Sequence, residues 1–207
     1  MYSFLAIVLQ FLSGSVMYSY LLARLINVNL RKVGDGNPGS LNLWRAKGMN
    51  FGMIALMLEY FKGTFPLFLF VITDVVQDEY LIAIAALFGI LGHAFSPMLK
   101  FKGGKAIATT FGAWTVLTKW EVPTILGITF TIFSLLKSKG IIVKDDAFGV
   151  LLGFIVLLPY VLYKSYNGQA HILLFYIGNL CIIGYKHWYD WFKFDKKSFT
   201  NKDDQNS

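Results

Sequence analysis

Apolar segments alternate with short polar stretches along most of the chain. The first is an uncharged run over residues 1–23, long enough to cross a hydrocarbon core about 30 Å thick at about 1.5 Å per helical residue. Six further apolar segments follow, at residues 51–73, 80–99, 106–118, 122–136, 147–163 and 170 to about 187. This pattern predicts an all-α integral membrane protein with seven transmembrane helices. The fourth and fifth segments are short enough to form either a hairpin or a partly re-entrant pair.

The distribution of basic residues predicts the orientation. No lysine or arginine precedes the first run and Arg24 follows it, which favours an uncleaved first helix with its N-terminus outside. Seven spans then place sixteen of the nineteen basic residues in cytoplasmic regions, with Lys119 and Lys164 outside and Lys62 within a span. We therefore expect a multi-pass protein of the inner (cytoplasmic) membrane with a cytoplasmic C-terminus. Residues 195–207 are expected to form a disordered cytoplasmic tail after one membrane domain, residues 1–194.

The composition argues against several classes of protein. Hydrophobic residues make up 56% of the chain and charged residues 15%, whereas charged residues are about a quarter of a soluble domain. The single cysteine, Cys181, rules out a disulfide framework, and the sequence has no GxSxG, HExxH or paired metal-ligand motif. We therefore expect no metal and no cofactor. Because the basic residues lie between apolar segments and at the C-terminus, the net charge of +7 indicates anionic lipid and phosphorylated substrates as partners, not nucleic acid.

The most informative stretch is GHAFSPMLKFKGGKAIAT, residues 92–109. Three lysines and a glycine pair lie in its centre, residues 100–105, which we call the lysine turn. Gly103 and Gly104 allow main-chain N–H groups to approach a phosphate, and Lys105 is expected just before the next helix, whose dipole also favours an anion. The alternative is that these lysines only flank a membrane helix on its cytoplasmic side.

Other polar residues are expected on the same membrane face as the lysine turn. The first connection contains GDGNPGS, residues 34–40, which we call the glycine turn. The predicted topology gathers on this face Asn37, Asn42, Arg45, His93, Lys105 and His187. Such a site suits a substrate that carries phosphate, with its lipid part in the bilayer. Within the second span, Glu59 and Lys62 are expected to pair, either as a functional lining or as a structural ion pair.

Several motifs resemble those of the bacterial acyl-phosphate:glycerol-3-phosphate acyltransferases. Gly14-Ser15 and then residues 34–48 are similar to the family's GS and GSGNxGATNxxRxxG, and residues 59–63 are similar to DxxKG, with glutamate for aspartate.

The lysine turn and the end of the last span carry the rest of the resemblance. Residues 92–109 nearly repeat GHxFPxxxxFKGGKGVAT, with Ser96 for proline and Ala106 for glycine. Residues 187–194 are similar to HxxNIxRL. The resemblance runs from about Gly14 to Phe194 and depends most on residues 92–109.

The resemblance implies both an activity and a site. A fatty acyl group would move from acyl phosphate to the 1-hydroxyl of glycerol 3-phosphate, giving lysophosphatidic acid for phospholipid synthesis without a cofactor or an enzyme nucleophile. It also implies seven spans, an external N-terminus and a cytoplasmic active site. The catalytic residues would be Lys105, His187 and Arg45. The substrates would be bound by Gly36, Asn37, Gly39, Asn42, His93, Lys102, Gly103, Gly104, Thr109 and Asp190.

Three departures from the family pattern fall at polar positions. Asp35 replaces a serine and Asp190 replaces an asparagine. A carboxylate beside a phosphate is repulsive unless it is protonated or paired with Arg45 or a lysine. The family's serine-bearing connection after the fifth span is not recognisable at residues 137–146, and Ser134 and Ser138 are the candidates for its serine.

These departures leave two other functions open. One is a catalytically silent or substrate-altered membrane paralogue that binds lipid or phosphorylated ligands. The other is a small transporter that uses Glu59 and Lys62.

Overall fold

All regular structure in the described part of the chain is helical. The computed structural model describes residues 2–142 and 146–191, which form nine α-helices and two short 3-10 turns, Leu30–Lys32 and Pro97–Leu99. The α-helices are α1 Tyr2–Ser15, α2 Tyr18–Leu25, α3 Ser40–Lys47, α4 Met49–Ile72, α5 Glu79–Ala94, α6 Ile107–Thr118, α7 Glu121–Ser138, α8 Asp146–Tyr166 and α9 Ala170–Trp191. The predicted tail, residues 195–207, and the end of the last motif, residues 192–194, lie outside the described residues.

Five helical segments of the described chain are long and apolar enough to cross a membrane. They are Phe4–Leu25, Met49–Ile72, Glu79–Leu99, Glu121–Ser138 and Asp146–Tyr166. The prediction of an all-α integral membrane protein is therefore confirmed. Helix α6 has only 12 residues, about 18 Å of rise, and is too short to cross alone.

The first apolar run forms a candidate span, Phe4–Leu25, as predicted, but it is not one continuous helix. It breaks at Val16 and Met17, between α1 and α2. The break leaves polar main-chain groups in an apolar setting, where each needs a partner. Lys62 Nζ donates to the carbonyl of Val16 at 2.5 Å, and the main-chain N–H and Oγ of Ser19 both donate to Glu59 Oε1 at 2.9 Å. An ion pair on α4 therefore stabilises the break.

The predicted polar connection at residues 24–50 also has more structure than expected. Helix α3 lies within it, and α4 begins at Met49, two residues before the predicted start of the second span. Asn42 and Arg45 lie three residues apart on α3, so both side chains face the same side. The glycine turn before α3 reverses the chain at Gly36, whose φ of 71° suits glycine.

Close packing of α1 and α5 fixes the start of the lysine turn. Gly14 faces the main chain of Gly89, so a side chain at position 14 would prevent the approach, and a side chain at position 89 would meet that of Gln10. Beyond α5, the buried Ser96 donates through Oγ to the carbonyl of Ser15 at 2.6 Å. The small residues at Gly14 and Ser15 therefore form a close helix contact.

Helix α9 packs against α5 and α8 and ends beside the lysine turn. Part of its packing is aromatic, because the buried rings of Trp114 and Phe175 meet edge to face with 4.6 Å between centroids. The C-terminal turns of α9 therefore carry His187 and Asp190 to the end of the bundle where α6 begins.

Candidate active site

Lys105 lies at the centre of the candidate site. It follows the glycine pair and precedes Ile107, the first residue of α6, as the sequence predicted. Its Nζ lies 2.7 Å from Asp35 Oδ2 and 2.7 Å from Asp190 Oδ2. The glycine turn, the lysine turn and α9 therefore converge on one ammonium group.

The two carboxylates keep Lys105 charged. Burial by itself would lower the pKa of Lys105, but its hydrogen bonds to Asp190 and Asp35 outweigh burial and raise that pKa. For Asp35, burial would raise the pKa, but hydrogen bonds from Lys105, the Asn37 N–H and Asn42 lower it to about 2. A carboxylate at position 35 was expected to need a basic partner, and Lys105 is that partner.

Asn42 connects the glycine turn to α3. Its Nδ2 donates to Asp35 Oδ1 at 2.7 Å and to the carbonyl of Asn37 at 2.9 Å. Its Oδ1 accepts from Arg45 Nη1 at 3.1 Å, and Arg45 Nη2 lies 3.8 Å from Asp146 Oδ2 at the start of α8. Arg45 is thus oriented by a neutral amide and keeps an exposed guanidinium at the site.

His187 is buried beside this cluster and its ring is only 4% exposed. Its Nδ1 lies 3.9 Å from Asp190 Oδ2, and its ring stacks on Trp191 with 6.0 Å between centroids. Neither ring nitrogen has a hydrogen-bond partner among the described residues. Buried polar atoms are normally paired, so His187 is equipped to bind a polar group of a ligand.

A second polar cluster lies behind the lysine turn. Glu59 Oε2 lies 2.5 Å from Lys62 Nζ and 3.2 Å from His93 Nδ1, and Thr109 Oγ1 donates to the carbonyl of Glu59 at 3.2 Å. Thr109 Oγ1 also lies 3.3 Å from His93 Nδ1. All four side chains are buried. The predicted pairing of Glu59 with Lys62 is confirmed, and its contacts with the helix break favour the structural reading.

His93 joins the two clusters. Its carbonyl accepts from the N–H of Gly104 at 3.1 Å, and its ring occupies the space that a side chain at position 104 would need. His93 and Thr109, predicted to bind substrate, therefore lie behind the lysine turn and shape it. Glycine is required at position 104 because no larger residue fits against the ring.

The structure separates the predicted site residues into three groups. Around Lys105 are Asp190, His187, Arg45, Asn42 and Asn37, with Gly36 and Gly39 in the same glycine turn. Behind the turn are His93 and Thr109, with Gly103 and Gly104 between the clusters. Lys102 is exposed at the rim. Within residues 2–142 and 146–191, no contact joins Ser134 or Ser138 to Lys105. Ser138 Oγ donates to its own helix, at the carbonyl of Leu135.

Sequence reasoning missed two basic residues at this site. Arg31 donates to the carbonyls of Lys102 and Gly36, and Lys186 donates to the carbonyls of Gly103 and Ala94. Their positive charge next to predicted site segments was the only feature of the sequence that linked them to the site. Because both residues bind main-chain carbonyls, which every residue has, the sequence does not indicate their partners.

Comparison with known proteins finds relatives over nearly the whole chain. A family model described as glycerol-3-phosphate acyltransferase matches residues 4–193. Glycerol-3-phosphate acyltransferase 1 of Thermotoga maritima is 56% identical over 193 residues, covering 90% of this chain and 95% of the relative. Glycerol-3-phosphate acyltransferase 2 of the same organism is 32% identical over 176 residues, covering 84% and 85%.

Two solved structures share the fold. The crystal structure of PlsY (YgiH), an integral membrane glycerol 3-phosphate acyltransferase, in its glycerol 3-phosphate form gives a TM-score of 0.78 at 24% identity and covers 91% of this chain and 90% of that one. Its lysophosphatidic acid form gives 0.74 at 22% identity and covers 89% and 87%. The helical arrangement described above is therefore that of a known integral membrane fold.

Proposed function

Because this chain belongs to the glycerol-3-phosphate acyltransferase family, we propose that it moves a fatty acyl group from acyl phosphate to the 1-hydroxyl of glycerol 3-phosphate. The products are lysophosphatidic acid and inorganic phosphate. The observation that carries this proposal is the convergence of the glycine turn, the lysine turn and α9 on Lys105. The names of the relatives and the ligands of the two PlsY forms support glycerol 3-phosphate as the acceptor.

The proposed reaction makes one bond and breaks one. The 1-hydroxyl oxygen attacks the carbonyl carbon of acyl phosphate, and the bond from that carbon to the phosphate oxygen breaks. The hydroxyl proton goes to His187 or to the departing phosphate. Because acyl phosphate is already activated, alignment of the substrates and neutralisation of their charge provide the acceleration.

Lys105, Arg45 and His187 form the catalytic set of this proposal. Lys105 and Arg45 bind phosphate oxygens, and the buried ring of His187 faces the reacting groups. Asp35 and Asp190 compete with phosphate for Lys105, so they set how strongly it holds the substrate. Main-chain groups of the glycine turn and the lysine turn, with Asn37 and Asn42, complete the phosphate contacts, and Lys102 adds charge at the rim.

The proposed topology has seven crossings in one membrane domain, residues 1–194, followed by the tail. Helices α1 and α2 together form the first crossing. The fourth combines the short α6 with the mostly buried residues 103–106 that precede it, and α7 forms the fifth. The N-terminus lies outside and the active site faces the cytoplasm, at the inner membrane. The concentration of basic residues in the cytoplasmic connections supports this arrangement.

The direct test uses the purified protein with palmitoyl phosphate and labelled glycerol 3-phosphate. We expect lysophosphatidic acid from the unmodified protein, and a fall in kcat/KM of about 10²–10³-fold in Lys105→Ala. Lys119→Ala, at the opposite end of the bundle, serves as the matched control and keeps its activity. Binding of palmitoyl phosphate without any product would instead favour the silent paralogue.

A further inference from the structure

Two cations hold the lysine turn by its main-chain carbonyls. Arg31 Nη2 donates to the carbonyl of Lys102, and Arg31 Nη1 donates to the carbonyl of Gly36 at 3.3 Å. From the other side, Lys186 Nζ donates to the carbonyls of Gly103 at 3.2 Å and Ala94 at 3.0 Å. The two residues that precede Gly104 therefore each have their carbonyl fixed by a charged donor.

Arg31 connects the two turns of the site. Its planar guanidinium presents separate N–H groups in a fixed fork, and here one arm reaches the glycine turn and the other reaches the lysine turn. A lysine carries its donors on a single nitrogen and has no comparable fork. The spacing between the turn that carries Asp35 and the turn that carries Lys105 thus depends on this guanidinium.

Lys186 connects α9 to the same turn. Its ammonium group also lies 5.4 Å from the centroid of the Phe95 ring, just beyond the end of α5. Because Lys186 directly precedes His187, the same turn of α9 fixes the position of the lysine turn and the position of the buried imidazole. The relative positions of Lys105 and His187 follow from this contact.

Neither cation is neutralised by an acidic side chain within residues 2–142 and 146–191. Lys186 lies within electrostatic range of Arg31 and Lys105, and the two carboxylates at Lys105 balance only part of this positive charge. Such crowding is unfavourable by itself, and carbonyl dipoles together with a bound anion would relieve it. A fold that only needed to close this loop would not require two unpaired cations there.

We propose that Arg31 and Lys186 are positioning residues that fix the lysine turn, so that Lys105 meets the phosphate of the substrate. This inference rests on the proposed acyltransferase function. Arg31 acts through the spacing of the two turns, and Lys186 acts through the carbonyl of Gly103. Neither residue needs to touch the substrate.

The test compares conservative and neutral substitutions at both positions in the acyltransferase assay. We expect the KM for glycerol 3-phosphate to rise about tenfold in Arg31→Gln and Lys186→Met, because each loses hydrogen bonds from a charged donor. Arg31→Lys should behave like Arg31→Gln, since the fork is lost while the charge is kept. Lys186→Arg should stay within about twofold of the unmodified protein, because it keeps charged donors near both carbonyls.

Lys32→Gln is the matched control, since it removes the same charge from the neighbouring exposed position. A purely structural role would reduce the amount of active enzyme and leave KM unchanged. An Arg31→Lys protein with normal KM would overturn the inference and leave charge alone as the explanation. If Arg31→Gln does not fold, Arg31→Lys still decides the question. An inactive unmodified protein would instead refute the proposed function.

Discussion

The molecule contains two lysine–carboxylate clusters that differ in what surrounds them. Lys62 and Glu59 are 2.5 Å apart with side chains 1% and 2% exposed, and both also bind main-chain groups at the break between α1 and α2. Lys105 is 25% exposed, and its two carboxylate partners, Asp35 and Asp190, come from separate segments and are 40% and 29% exposed. The cluster of Lys62 and Glu59 is therefore buried and structural, whereas the cluster around Lys105 is open to solvent.

The difference in burial determines in which cluster a ligand can displace the ion pair. A buried ion pair that loses one partner leaves an uncompensated charge, which costs about 3–5 kcal/mol. A partly exposed pair contributes about 1 kcal/mol or less, so a dianionic phosphate can displace it. The catalysis proposed above therefore uses the weaker of the two clusters, and the stronger one stabilises the fold.

The largest expected effect is on stability, from Glu59→Ala. This change leaves the Lys62 charge and the Ser19 N–H without their partner, and should lower the free energy of unfolding by about 3–5 kcal/mol. Thermal unfolding in detergent measures it. Asp35→Ala is the comparison variant and should lose less than about 1 kcal/mol. Equal losses in the two proteins would contradict the division into structural and ligand-binding clusters.

The next effect is on substrate binding, from Asp35→Ser combined with Asp190→Asn. Both changes remove a carboxylate that competes for Lys105, so the KM for glycerol 3-phosphate should fall, by about three- to tenfold if the two pairs together contribute about 0.6–1.4 kcal/mol. Initial rates at varied substrate concentration provide the measurement. A higher KM would mean that the carboxylates help to bind the substrate, for example through its hydroxyl groups.

Measurements at varied pH distinguish the roles of Lys105 and Asp35 from the role of His187. Asp35 has its pKa lowered from 3.8 to about 2, so its contribution to stability is complete above about pH 4 and is lost as the pH falls through 2. The pKa of Lys105 is raised above 10.5, so its contribution is complete below that value and is lost only at higher pH. Both groups therefore stay charged from about pH 5 to about pH 9.

Any inflection of the rate within that range must come from another group. We expect Asp35→Ser to leave the midpoint of the acid limb of the rate unchanged, and His187→Asn to abolish that limb if the imidazole carries the proton. A pH–rate profile of kcat/KM measures both. A limb that survives in His187→Asn would assign the proton to the departing phosphate.

The smallest expected effect is from Ala106→Gly, beside Lys105. Ala106 has φ of 61° in the left-handed region, where a side chain costs about 1–2 kcal/mol and glycine does not. Glycine also has a more flexible unfolded chain, so the net gain in stability should be about 0.5–1 kcal/mol. A small rise in the thermal midpoint at unchanged KM is the expected result. Loss of activity would show that the tight turn at position 106 helps to position Lys105.

The sequence predicted the parts of this structure that depend on local spacing. The pairing of Glu59 with Lys62 follows from their separation of three residues on a helix, and the place of Lys105 follows from the glycine pair and the next apolar segment. The break at Val16 was not predicted: Ser13-Gly14-Ser15 directly before it weakens a helix, but such residues alone do not end one. Its cause, the pair on α4, lies far along the chain.

The candidate site shows the same limit. The sequence required a basic partner for Asp35, but only the fold shows that Lys105, and not Arg45, provides it. Arg31 and Lys186 could not be identified because they bind main-chain carbonyls, which every residue has. Interactions between side chains of opposite charge are visible in a sequence, and interactions between a side chain and a distant main chain are not.

The bend between α1 and α2 also bears on how the protein is made. Glu59 leaves the ribosome 40 residues after Ser19, so the nascent first segment emerges before the groups that stabilise its break have emerged. We therefore expect the first segment to reach its final shape only when α4 packs against it. Site-specific cross-linking of chains arrested before and after residue 59 would detect that change.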